Sequence, residues 1–524
     1  MYEPNLPQIL AKSSLPSTLQ DYSAALNSAT GFLREIEKAH ANPLPGDPLA
    51  KTTFAQSGSP TCGLTYYDLE TGAKFVYPLL TPLRNEIPRV SGKGGVQANW
   101  RAVTGINTTG LRIGVSGGNR GGVQAVTTAD YSAAYKGIGI ETTVDFEAQY
   151  AGMGFDDIKA IGAKVGLEAC MLGEELLILG GNTSVPLGTT PTPSLAPAIT
   201  GGSLTAAASP YSVICVALTL DGVVNGSVAG GIQGAITRSN ADGSSDTFGG
   251  GAAAKSANAT ASISSGTTGS IAATVAPVPG ALGYAWFWGA AGSEVLGAIT
   301  TINSVVITAN AAGTQTAASL GAGDNSTNAL VFDGLLYQAF KPGSNAYVQY
   351  LATGTAGTGS TLTGDGAGGI VEIDAALKNR WDNYRLSPDT IWVGSQVAND
   401  LSKKILAGNA NAAQRFVFDA EQGALGGGVM VRTYLNKFSM AGPKILDIRV
   451  HPNMPAGTVL MTAKTLPYPL ANVGNVVQVR TRQDYYQIEW PPRARRYETG
   501  VYADEVLQHY FPPSMAVIAN IAAG

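Results

Sequence analysis

Apolar residues recur at three- and four-residue steps through one stretch of the chain. Ile158, Ile161, Val165, Leu172, Leu176 and Leu179, with Glu168 as the polar exception, predict one stripe of a long helix over 155–182. Asp156 and Asp157 fall in its first turn, where acids suit the positive end of the helix dipole. Gly180 and Gly181 close it. At about 1.5 Å per residue such a helix is roughly 37 Å long. It needs a wide partner surface.

The pattern on the N-terminal side is different. Leu19, Tyr22, Leu26, Leu33 and Ile36 predict a first helix over 17–40, with Ser17 and Gln20 as a capping box. The prolines of 42–48 stop it, and it reads as an arm for a neighbouring subunit or as a solvent-side hairpin helix. Residues 64–90 read as an extended strap, because Pro78, Pro82 and Pro88 oppose a helix. Residues 99–147 read as a long β-hairpin. Trp100, Val103, Ile106, Leu111, Ile113 and Val115 alternate on one limb, and Ile138, Ile140, Thr142 and Val144 on the other. Its polar tip runs from Ser116 to Ala134. A two-stranded hairpin of that length is marginal alone in water, so it must dock on something.

After the long helix, 183–330 holds few charges and a series of short β-prone runs: YSVICVALTL, GAITRS, ATASIS, SIAATVA, LGYAWFWGA and INSVVITAN. About seven short strands with turn signals is the pattern of an immunoglobulin-like sandwich. Tyr284, Trp286 and Trp288 share one face of a strand, Ala285 and Phe287 the other, and this pattern fits a core better than a carbohydrate platform. The flanks TTPTPSLAP and GAGDNSTN read as linkers, so deletion of the insert is expected to leave a foldable remainder. From Phe332 the pattern alternates again: helices over 369–385 and 397–408, strands at TIWVGS, KILDIRVHP, TVLMTA and VVQVRTRQDYYQIEW, and an apolar strand at the end.

Composition narrows the function. Charged residues make up 13% of the 524, about half the usual share, and 66 are glycine. Net charge is −4, which opposes a dedicated nucleic-acid binder. Cys62, Cys170 and Cys215 have no metal-ligand spacing, and the first residues lack the pattern of a signal peptide. No apolar run reaches bilayer length, so synthesis in a cytoplasm and no membrane partner are expected. His40, His451 and His509 form no metal-binding pair, and no G-x-S-x-G elbow occurs. GGNRGG and SGKGG resemble phosphate loops only in glycine content, and DGSSDTFGGG lacks the spacing of a calcium loop. Glu174 and Glu175 read as a solvated or interface face of the helix rather than acid–base machinery. No catalytic residue, cofactor or metal is expected. The basic cluster Arg480, Arg482, Arg493, Arg495 and Arg496 suits carboxylates across an interface, contact with phosphate, or a solvated edge, and the fork of guanidinium favours the first. With Arg84, Arg89, Trp100, Arg112, Arg120 and Lys136 it makes up the candidate inter-subunit contacts.

In that order the elements resemble the major capsid protein of tailed bacteriophages, the Hong Kong 97-type fold. PLLTPLRNEIPRV followed by QANWRAVTG resembles that family's N-arm leading into its E-loop. IETTVDFEAQYAGMGFDDIKAIGAKVGLEACMLGEELLILGGN is similar to the E-loop return and spine helix. FDGLLYQ, TIWVGSQVANDLSKKIL and MAGPKILDIRVHPNMPAGTVLMTAKTLPYP resemble the axial domain. The resemblance implies an α+β chain: helical arm 1–53, N-arm strap 54–98, E-loop 99–150, spine helix 151–182, inserted Ig-like sandwich 183–330, mainly axial domain 331–480 and peripheral return strands 481–524. It implies self-assembly, as hexamers and pentamers, into an icosahedral virion shell around double-stranded DNA held without sequence-specific binding. The insert would face outward, and portal, scaffolding or decoration proteins are the further partners. Some relatives weld subunits through a Lys–Asn bond. Lys136 is the only lysine of the hairpin region, and no Asn partner or acid is assignable to it. A secreted or surface-attached adhesin-like β-protein is the alternative, and an enzyme is the reading with no site behind it.

Overall fold

The computed structural model describes residues 74–106, 113–153, 156–407, 417–419, 424–426, 430–440 and 442–524. The helix expected at 17–40, the first part of the strap, Cys62 and Arg112 lie outside the described residues.

The long helix spans Ile158–Gly180. Its buried line runs through Gly166, Cys170, Glu174 and Ile178, while Val165 is exposed and Leu172 and Leu176 are half-buried. The apolar stripe of the sequence is therefore not the face its own chain covers best. Glycines explain the shift. A Cβ on Gly162 would lie 3.1 Å from Val144 Cγ2, and one on Gly166 3.1 Å from Thr142 Cγ2. Small residues let the helix settle directly onto the strand Lys136–Asp145.

That strand corrects the hairpin. The second limb, expected over 135–150, does not return along the first limb. It pairs antiparallel with Arg496–His509 in a four-stranded sheet ordered Arg89–Ser91, Val477–Trp490, Arg496–His509, Lys136–Asp145. The hairpin is closed instead by Val126–Ala134, within the stretch assigned to the tip, against Gln97–Ile106. Thr127, Thr128, Tyr131 and their neighbours suit a strand as well as 136–145 does, and only the pairing partner decides between them. The strap also contains one helical turn, Pro82–Glu86. Pro82 opens it, at the position where a missing N–H costs no helix hydrogen bond. Phe146–Ala151 is a short helix in which Phe146 tilts on Tyr150.

A six-stranded mixed sheet runs Tyr347–Tyr350, Ala516–Ala519, Val459–Thr462, Thr390–Val393, Lys444–Val450, Thr433–Asn436. Helices Val371–Tyr384 and Ser395–Ala407 bury Ile373, Leu377, Val397 and Leu401 against one face. Trp392, Leu460 and Val517 face the other way, into the core that holds Ile178 and Leu179 of the long helix.

The insert forms two antiparallel sheets plus the hairpin Ala235–Ser239/Ser245–Gly249. One sheet runs Ser304–Ile307, Ser270–Thr274, Ser194–Ala198; the other runs Val295–Thr300, Gly283–Gly289, Tyr211–Leu218, Ala259–Ala261. Tyr284, Trp286 and Trp288 fill the core between them, and Ala285 and Phe287 fill a second core behind. The strand order corrects the immunoglobulin-like expectation. In that fold the first two strands are neighbours in one sheet. Here, leaving the 235–249 hairpin aside, the first strand pairs with the fourth, while the second pairs with the third and fifth in the other sheet.

The flanks are not linkers either. Asn182 Nδ2 donates to the carbonyls of Val185 and Ser326, and Asp333 accepts the amides of Thr183 and Ser184. Leu220 and Leu282 join the core of the long helix. The Tyr337 hydroxyl accepts the Leu220 amide and donates to Gly280 O at 3.1 Å. Asn303 and Asn520 exchange hydrogen bonds at 2.8 and 3.0 Å between insert and six-stranded sheet. Two outcomes are expected. Deleting 183–330 exposes this core and gives an insoluble product; a soluble remainder with native circular dichroism would overturn that. Gly166→Val forces the helix off its strand and costs about 1–3 kcal/mol, read by denaturant unfolding.

Candidate assembly site

Glu174 and Glu175 are both 0% exposed, on the helix face turned to the sheet. Buried carboxylates must find charge-assisted partners or lose their charge. Of the two readings, a solvated or an interface face, this rules out the first, and the strap of the same chain supplies the partners. Glu175 accepts the amides of Leu83 at 2.9 Å and Arg84 at 2.7 Å, the second and third residues of the turn Pro82–Glu86. Those are orphan donors of a helix N-terminus, and Thr81 offers them no side-chain cap. Glu175 therefore caps the turn from another element. His451 Nε2 lies 2.6 Å from the same carboxylate. His451 Nδ1 accepts the Asn453 amide, so Nε2 carries the hydrogen given to Glu175.

Glu174 accepts Arg84 Nε at 2.8 Å, the Arg89 guanidinium and the Tyr485 hydroxyl. Arg89 also reaches Asp484 at 2.6 Å and Glu505 at 2.7 Å. The Tyr485 ring lies 5.1 Å from the Arg84 guanidinium and 5.0 Å from that of Arg89. Burial works against the Arg89 charge, but the Asp484 hydrogen bond and the charges of Glu174 and Glu505 outweigh it and hold its pKa above the usual value. Burial, then the Glu174 charge, push the Cys170 thiol up to about 11, so it is an unreactive thiol. At the far end of the turn, Glu86 pairs with Arg449 and with Lys464 at 2.9 Å. Residues 81–91 are thus fastened to the long helix and both sheets of their own chain.

The neighbouring segments expose apolar side chains. Val76 is 91% exposed, and Leu79 and Leu80 are exposed beside it. Among the described residues the hairpin is seated only at its base, where Ala98 and Ala133 enter the core and Trp100 stacks on Tyr131 and meets the edge of Tyr510. Further out, Arg101 pairs with Asp130 at 2.6 Å. The register then shifts between Val103 and Gly105, with Val103 opposite Thr128 and Ile106 opposite Val126. Thr128 and Val126 share a face, so this bulge brings Val103 and Ile106 onto that face together. Val103, Ile106 and Val126 are 65%, 53% and 55% exposed there. Ile113, Val115 and Val123 are exposed near the tip.

The structure divides the predicted contacts. Arg84 and Arg89 are engaged in the clamp described above. Arg482 pairs with Asp504 at 2.7 Å and Arg496 with Glu498 at 2.8 Å. Arg480 approaches Gln508 at 3.5 Å, and its Nε is buried without a partner among the described residues. Lys136 donates to Ala329 O at 2.6 Å. Arg493 and Arg495 are exposed in the turn between the two long strands, and Arg120 is exposed near the hairpin tip. Within the basic cluster, Arg482 is thus paired across strands and Arg496 along its own strand, while Arg493 and Arg495 lie in the exposed turn. Sequence reasoning missed the clamp residues Glu174, Glu175, His451, Tyr485, Asp484 and Glu505. The signal was present: Glu174 and Glu175 follow Met171 and Leu172 and precede Leu176, Leu177 and Ile178, a setting too apolar for a solvated face. Among the described residues no group of His, Cys, Asp and Glu could hold a metal ion, and no helix is long and apolar enough to cross a membrane.

No family model and no curated protein matches the chain. Among solved structures it is similar to the capsid of a native GTA particle, at 8% identity and TM-score 0.39 over 90% of this chain and 100% of that one. It is similar to the capsid of Myoviridae phage XM1, at 10% identity and TM-score 0.37 over 86% and 95%. It is also similar to the capsid of the cyanophage P-SCSP1u, at 9% identity and TM-score 0.38 over 87% and 92%.

Removing the cap should loosen the strap. Glu175→Ala leaves two strap amides and His451 without their acceptor and is expected to cost about 3 kcal/mol, with proteolytic cleavage appearing first within 81–91. Unfolding indistinguishable from wild type would show that the clamp is not structural.

Proposed function

We propose that the chain is a capsid subunit that assembles with copies of itself into a closed icosahedral shell around the double-stranded DNA of a tailed phage. The observation that carries this is the exposed apolar face of a hairpin whose described residues are seated at its base. Val103, Ile106 and Val126 cluster on a projecting two-stranded ribbon, with Val76, Leu79 and Leu80 bare on the strap. Contiguous apolar surface of this kind marks a protein contact. A ribbon that leaves its own body reaches a neighbour, and a heterologous contact repeated under rotation closes a ring. Arg120, Arg493 and Arg495 are the other exposed candidates for such contacts, with Trp100 at the hairpin base.

A net charge of −4 suits a container that does not grip its cargo, since phosphate binding is carried by lysine and arginine. The insert, low in charge and walled by its own two sheets, fits an outward position on the shell. Portal, scaffolding and decoration proteins are the expected further partners.

The purified protein, or the particle it comes from, is expected to show shells of uniform size by negative-stain microscopy. A strict monomer under every assembly condition would overturn the proposal and favour a surface-binding β-protein. Val103→Asp with Val126→Asp should leave subunit stability within about 0.5 kcal/mol, because both positions are exposed, and abolish shells. Normal shells from that variant would remove the hairpin from the assembly contact.

A further inference from the structure

The strap clamp contains more carboxylates than guanidinium groups. Glu174, Glu175, Asp484 and Glu505 meet Arg84 and Arg89. Glu175 is satisfied separately by two strap amides and His451. That leaves Arg84 and Arg89 to serve three acids, all three of which Arg89 touches. Two of them, Glu174 and Glu505, have side chains with no exposure. One Glu505 oxygen takes the Arg89 hydrogen bond, while the other, Oε1, is buried with no hydrogen-bond partner among the described residues. A buried carboxylate oxygen without a donor carries uncompensated charge; a protonated carboxyl removes it.

We propose that Glu505 is a proton-operated latch for the strap. With its proton in place, residues 81–91 stay seated on the long helix. When the proton leaves, the three acids outnumber Arg84 and Arg89 in a water-poor site, and the strap detaches.

The groups facing Glu505 come from every element around it. The long helix brings Glu174 and Cys170, and the strap brings Arg84 and Arg89. The strand Val477–Trp490 brings Thr481, its ladder partner, with Asp484 and Tyr485. Lys136, opposite on the other side, turns away to Ala329 O. Burial first, and the Glu174 charge second, raise the Glu505 carboxyl well above the ordinary carboxylate range against the pull of Arg89. A raised acid pKa means the seated state holds the proton more tightly than the open one. The stabilisation is complete below the ordinary carboxylate range and is lost as pH rises through the raised value. Between the ordinary carboxylate range and that raised value, one proton changes the opening equilibrium by up to about tenfold per pH unit, and above it the equilibrium levels off.

Hydrogen exchange on the full chain tests this from about pH 6 to about pH 9, a range far above the ordinary glutamate value. Protection of 81–91 is compared with that of the six-stranded sheet, which corrects for intrinsic rates. In the wild type the strap is expected to lose protection selectively as pH rises. Glu505→Gln, neutral at every pH and able to accept from Arg89, is expected to hold protection constant. Equal pH dependence in strap and sheet, or the same loss in Glu505→Gln, would overturn the proposal. Infrared difference spectra of the wild type need no variant: a protonated carboxyl band should be present at neutral pH and fade with strap release. Its absence at neutral pH would likewise overturn the latch. Neither measurement depends on shell formation.

Discussion

Two carboxylates held out of water on one helix organise this molecule. Glu174 and Glu175 occupy positions that an apolar residue would fill at no electrostatic cost, and burying them is tolerable only because other elements come to meet them. The strap brings two amides and two guanidinium groups, the long strand brings Tyr485, and the six-stranded sheet brings His451. None of these segments is adjacent to another in the chain. The clamp therefore fixes how strap, helix and sheets sit together, with a directionality that apolar packing alone does not supply. Close approach is the other half of the constraint: Gly162 and Gly166 let the helix lie low enough on its strand for its next turns to reach the strap.

The same constraint divides the N-terminal segment. Residues 81–91 are internal to the fold, down to the parallel pairing of Arg89–Ser91 with Val479–Thr481. The segment before them and the hairpin after them present apolar side chains to solvent. The rigid piece thus lies between two projecting ones and sets where they leave the body. In a shell, that would make the clamp the part of the subunit that aims its arms. The β-bulge at Val103–Gly105 does the same on a smaller scale by turning three apolar side chains to one face.

The insert belongs to this frame rather than hanging from it. Tyr337 ties it at Leu220 and Gly280, beside the end of the long helix, and the Asn303–Asn520 exchange ties it to the six-stranded sheet. Its strand order, with the first strand paired to the fourth, gives a sandwich by a route other than the immunoglobulin one. Hydrophobic alternation counts strands and finds their inward faces, as it did for Trp286 and Phe287. It carries no information on which strand lies beside which.

Local pattern determined a good deal here. The long helix, the helices at 371–384 and 395–407, the strand positions and the aromatic core of the insert follow from periodicity, which reflects which side chains avoid water within one element. Pairing between elements was decided only in three dimensions. The strand 136–145 was legible as a strand, yet it joins Arg496–His509 and not Gln97–Ile106, because register depends on what lies across the ladder. The basic cluster was legible as basic, yet Arg482 and Arg496 face acids two strand positions or one strand away in their own chain. Glu174 and Glu175 were legible as acids, yet whether an acid faces water or a guanidinium is settled by the strap, which sits about ninety residues earlier in the sequence. Charge compensation acts through space, and sequence spacing encodes it only when both partners share one element.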